Sequence, residues 1–150
     1  MSRLLGYLII FMSGLAMTVV SVVRPEYLSD SNEFLRNFVN HEFLNILGVI
    51  LAITLASVAN IHLAFNRIEE RYKTKNALTK SRQNLKKSAY WLIGLFVAGA
   101  IIVLIKPIAC SSPVSTALFN SAALTILIWH ILILVALTEL VFRIEPSTPE

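Results

Sequence analysis

The chain has 150 residues, 56% of them hydrophobic and 15% charged, with a formal net charge of +4 and a single cysteine; its mean hydropathy is +0.71. Soluble domains lie nearer half apolar and a quarter charged, so these values argue against a water-soluble fold, a disordered chain and a disulfide scaffold. The charges are also segregated, with long stretches free of them and one short stretch holding most, as in a small polytopic membrane protein.

Leu4–Val23 carries no charge and reaches the ~20 residues that cross about 30 Å of hydrocarbon as a helix. It is longer than the apolar region of a secretion signal, and no small-residue cleavage site follows it, so it is expected to be a retained span. In the next segment, Arg24–Glu42, Asp30 followed by Glu33 has the spacing of a capping box. Phe34, Leu35, Phe38 and Val39 then share one helical face, which predicts a short amphipathic helix on the outer surface, acting as a lid over the helix ends.

The second span is expected over Phe43–Phe65, with Asn45, Asn60 and His62 as its strongly polar members. A basic loop, Asn66–Ser88, follows. It holds Arg67, Arg71, Lys73, Lys75, Lys80, Arg82, Lys86 and Lys87 against Glu69 and Glu70. No Pro or Gly interrupts residues 65–90, so the second and third spans should continue as helices into the cytoplasm and turn near Thr74–Thr79. Glu69 stands four residues before Lys73, the favourable order for a helical ion pair.

Ala89–Ile105 is the third span, closed by Lys106-Pro107. In the connection after it, Ser112-Pro113 reads as an N-cap with proline at the first helical position. Cys110 has no partner within the chain, and a free or buried thiol is expected in preference to a disulfide between subunits. The fourth span, Leu118–Phe142, contains His130 near its middle and Glu139 near its end. Solid apolar blocks exclude a transmembrane barrel, whose strands alternate. The fold class is therefore all-α: one membrane domain over residues 1–150 with four transmembrane helices.

Lys and Arg set the orientation. Ten (Arg3, the eight in the loop and Arg143) fall on one side, against three (Arg24, Arg36 and Lys106) on the other. Both termini and the basic loop should be cytoplasmic, which puts Tyr7, Tyr90 and Trp91 near that interface.

Small residues recur at helical spacing: Gly48, Ala52 and Ala56 with Asn60 on the second span, and Gly94 with Ala98 on the third. Such stripes let helix backbones approach closely in lipid, within one subunit or along an oligomer seam. Intramembrane ionisable groups are functional candidates. His130 could line a path through a symmetric oligomer or simply hydrogen-bond a neighbouring helix. His62 and Glu139 fall at similar depth and could meet, or Glu139 could pair with Arg143 instead. No catalytic or phosphate-binding motif is present, and the three histidines lie too far apart along the chain and in depth for one metal ion. No enzymatic activity and no cofactor are expected.

In size and layout the chain resembles small prokaryotic four-span proteins, including holin-like and phage-exclusion membrane components. That resemblance is one of architecture and implies an effector role at a bacterial inner membrane. Two functions follow as expectations. One is a homo-oligomeric, channel-like or membrane-perturbing effector whose polar positions, His130, Asn60, His62 and Glu139, face a central path. The other is an anchor whose basic loop recruits an acidic cytoplasmic partner or anionic lipid. Nucleic acid is disfavoured, because Tyr72 is the only aromatic among these cations and base stacking needs more.

Overall fold

The uncharged run after Arg3 forms the first helix, α1 (Arg3–Val23), in a computed structural model that describes residues 3–73 and 78–144. Arg24 ends it with φ −141° and ψ 67°, outside the helical region that a following proline disfavours. A 3-10 turn at Pro25–Tyr27 leads to α2 (Glu33–Phe38). Three long helices follow: α3 (His41–Tyr72), α4 (Thr79–Ala109) and α5 (Pro113–Ile144). All regular structure among the described residues is helical, and α1, α3, α4 and α5 are each long and apolar enough to cross a membrane.

Helices α3 and α4 both run past their apolar stretches, as the unbroken sequence predicts. Lys73 ends α3 in the left-handed region at φ 50°, where its N–H closes on the carbonyls of Glu69 and Glu70. The turn itself, including Lys75, lies outside the described residues, as do the side chains of Arg3 and Arg143.

Two boundaries differ from expectation. Helix α4 does not stop at Lys106-Pro107 but continues to Ala109. In the last turn proline forfeits only one backbone bond, and the Cys110 N–H still closes on the Lys106 carbonyl at 3.0 Å. The cap of α2 is Asn32 rather than Asp30: its Oδ1 accepts from the N–H groups of Phe34 and Leu35 at 3.1 and 3.4 Å. Asp30 turns inward instead. The apolar residues of α2 also divide. Leu35 and Val39 are buried, whereas Phe34 is exposed and stacks on Phe38 with centroids 5.4 Å apart. Ser112 does cap α5, its Oγ accepting from the Ser115 N–H at 3.2 Å.

Helices α3, α4 and α5 pack on one another, and α1 packs along α5. The core has two parts. Near α2, Leu35, Val39, Phe43 and Leu47 meet Leu95, Ala123 and Ile126. Toward the α3–α4 hairpin, Ile61 and Phe65 meet Leu85, Leu92 and Leu137. Leu85 belongs to the basic segment, so the bundle core extends beyond the apolar stretches of α3 and α4.

Close approach of α3 to α4 depends on Gly99. A Cβ there would stand 2.8 Å from Leu47 Cδ1 and 3.1 Å from Phe43 Cε1, and both neighbours are completely buried. Overpacking a filled core costs about 1–3 kcal/mol. Gly99→Val is accordingly expected to lower the detergent-solubilised unfolding temperature. Gly94→Val should leave it nearly unchanged, because nothing lies within 4 Å of a Cβ at Gly94.

Candidate functional site

Polar side chains gather at four places, of which the sequence singled out three. On α3, Asn45, Ala52, Ala56 and Asn60 recur at spacings of seven, four and four residues, which keeps them on one face of a helix. All four are exposed. They point away from the core residues Phe43, Leu47, Thr54, Ile61 and Phe65. Gly48 is half-buried and approaches Phe96 of α4. On α4, Gly94 is exposed and Ala98 half-buried; Ala98 lines a groove of about 400 Å³ with Gly14, Thr18 and Trp129.

His130 sits inside the protomer. It is fully buried, with Nδ1 3.3 Å from the carbonyl of Ile126, and Nε2 has no hydrogen-bond partner among the described residues. The ring offers no surface to anything outside the bundle, so these helices do not present it to a path between subunits. Trp129 stacks on Trp91, centroids 5.4 Å apart, which sets the middle of α5 level with the first turn of the apolar stretch of α4. Trp91 stands 12 residues from the start of α4 and 18 from its end, so His130 lies near the middle of the bundle, a little toward the hairpin. Since Nε2 is a buried polar atom without a partner, replacing the ring by a similarly sized apolar group removes a desolvation cost. His130→Leu is expected to keep or raise the unfolding temperature.

At the hairpin end Arg82 is not part of an open basic surface. It donates to Glu69 Oε2 at 2.9 Å and to Asn66 Oδ1 at 2.7 Å, and its Nη1 lies 3.4 Å from His62 Nε2. Glu69 Oε1 accepts from the Leu78 N–H at 3.1 Å. The Glu69 carboxylate thus pins the start of α4 to the end of α3, and its ion pair is with Arg82. Asn60 and His62 diverge, Asn60 on the outward face and His62 in the crevice between α3 and α4. Glu139 is half-buried on α5. Arg67, Arg71, Lys73, Lys80, Lys86 and Lys87 are exposed around the hairpin.

The fourth place was not singled out from the sequence. Lys106 is buried at 7% exposure, and its Nζ donates to Asp30 Oδ1 at 2.7 Å and to the Val39 carbonyl at 3.5 Å. Asn120 donates to the same Asp30 oxygen at 3.1 Å and to the Leu28 carbonyl at 2.8 Å. Its own Oδ1 is buried without a partner among the described residues. At the next residue of α5, the Ser121 hydroxyl meets that of Ser21 at 2.7 Å and joins α1 to α5. The cluster ties the segment between α1 and α3 onto the ends of α4 and α5. One signal was legible: between Lys87 and Glu139 the sequence contains no charge except Lys106, and a lone cation in so apolar a stretch needs a partner.

Comparison of the chain with protein-family models, with curated proteins and with solved structures gave no match.

Proposed function

We propose that this chain is the subunit of a homo-oligomeric, channel-like effector of a bacterial inner membrane, without enzymatic activity, in which α3 faces the symmetry axis. One observation carries the reading: Asn45 and Asn60 are exposed on the same outward stripe as Ala52 and Ala56, on a helix apolar enough to lie in lipid. A primary amide left in hydrocarbon without a partner costs about 2–7 kcal/mol. Facing copies of α3, or water on an axis between them, would relieve that cost, and the alanines permit the close approach. His130 has no part in this path.

In this reading both termini and the hairpin are cytoplasmic, on the strength of the Lys and Arg asymmetry, and α2 lies at the outer mouth. Alkaline phosphatase fused near Lys80 should then be silent. Protein reconstituted in liposomes should pass ions, and Asn60→Asp, a ring of added negative charge, should shift selectivity toward cations. Monomeric protein in nanodiscs, or flux no greater than that of empty liposomes, would overturn the proposal.

The exposed cations around the hairpin favour a second reading, an anchor for an acidic cytoplasmic partner. Under it, neutralising Lys80, Lys86 and Lys87 together abolishes recruitment while flux is absent throughout.

A further inference from the structure

The crevice between α3 and α4 has a volume of about 670 Å³, within the roughly 300–1,000 Å³ of small-molecule sites. Its chemistry changes along its length. Leu55, Ala59, Leu63 and Ile93 make an apolar trough, and toward the hairpin it ends at His62, Arg82 and Lys86. The change falls where the apolar stretches of both helices give way to the basic segment, which is the depth of a lipid headgroup. Lys86 is exposed and its Nζ lies 5.8 Å from the centroid of the Tyr90 ring, so the aromatic holds an ammonium over the mouth of the trough. Arg82 Nη1 lies 3.4 Å from His62 Nε2; a guanidinium only donates, so Nδ1 is the ring nitrogen left to donate elsewhere. Among the described residues Glu69 is the only carboxylate in the Arg82 network, and both of its oxygens are engaged.

We propose that this crevice binds an anionic phospholipid, with the phosphodiester held at Lys86 and His62 and an acyl chain along Leu55, Ala59 and Ile93. Charge complementarity selects the headgroup, and basic crevices between transmembrane helices are suited to anionic lipids. The trough selects a lipid over a free anion, since most of its wall has nothing to offer phosphate. On α3 the crevice borders the Ala52, Ala56 and Asn60 stripe, because Ala59 and Leu63 stand seven residues beyond Ala52 and Ala56; its α4 wall, with Ala89 and Lys86, lies apart from that stripe.

The test is retention of phosphatidylglycerol by the full-length protein in phosphatidylcholine nanodiscs containing a minor fraction of it, counted per protomer by native mass spectrometry. Lys86→Glu should reduce retention about fivefold or more. Lys87→Glu makes the same charge reversal on the next residue, which lines a different groove with Trp91 and Trp129, and should change retention by less than about twofold. Ala89→Phe fills the trough from the α4 side and should lose the lipid as Lys86→Glu does, with the oligomeric mass unchanged. Equal losses at Lys86 and Lys87 would reduce the effect to general surface charge and overturn the proposal. Retention surviving Ala89→Phe, or competition by inorganic phosphate, would overturn it in favour of a free anion. A changed oligomeric mass in Ala89→Phe would overturn it in favour of a second copy of the chain.

Discussion

Asp30→Ala is expected to destabilise the protein more than any substitution of an exposed charge. Removing the carboxylate strands a Lys106 ammonium whose side chain is 9% exposed and leaves it only the Val39 carbonyl at 3.5 Å. It also takes an acceptor from Asn120, which already has one unpartnered atom. Breaking a fully buried pair from one side costs about 3–5 kcal/mol. The Asp30 side chain is 39% exposed, so water screens part of the interaction and about 2–3 kcal/mol is the appropriate size.

Lys106→Met should cost less, because the carboxylate left behind reaches water and keeps Asn120, while the methionine fills the space of the lysine stem. The double variant Asp30→Ala, Lys106→Met should then be more stable than Asp30→Ala alone. A thermal-unfolding cycle in detergent measures this directly. Additive losses would mean that the contact contributes nothing and that Lys106 reaches solvent at the end of α4.

Ala52→Leu with Ala56→Leu is expected to break the oligomer without harming the protomer. Both positions are exposed on the face of α3 opposite its buried side chains, so the larger groups meet no neighbour within one subunit and are welcome in lipid. Across a close helix contact the same groups overpack it, at about 1–3 kcal/mol for each site. Every 1.4 kcal/mol is about a tenfold change in the association constant, so the pair should shift dissociation by tenfold or more. Mass photometry in nanodiscs reads the subunit number, and the unfolding temperature of the protomer should stay where it was. An oligomer that survives both substitutions places the seam elsewhere; α1 would be the next candidate, since Leu8, Phe11, Leu15 and Val19 are all exposed along it.

The His130 and Asp30 assignments show where sequence reading reaches its limit. Depth along a span was judged from each helix separately, by counting from the ends of its apolar run. Counted that way His130 falls near a membrane midpoint and Trp91 near an interface, yet Trp129 and Trp91 are stacked, so the two depths do not hold together. The apolar run of α5 is longer than that of α4, and its surplus packs Leu137 against Phe65 and Leu85 of the hairpin extension. Neighbouring helices need not share a register with the bilayer, and only packing fixes it. Asp30 was read as a helix cap because the capping box is a local pattern. Asn32 satisfied the same N–H groups and left Asp30 available to a lysine 76 residues away.

What the amino-acid order determined by itself was the set of elements. Four long apolar runs, the basic stretch with no Pro or Gly and the Ser112-Pro113 start of α5 were all legible. Hydrophobic run length, capping and chain breaking act over a few neighbouring residues. The tertiary structure decided which face of each helix turned inward. It buried His130, put Asn60 outside and His62 in a crevice, closed Arg82 onto Glu69 and joined Lys106 to Asp30. Those outcomes depend on the rotation and sliding of one helix against another, and in so uniformly apolar a chain many rotations bury similar area. The contacts that separate them are a few polar pairs and the close approach at Gly99.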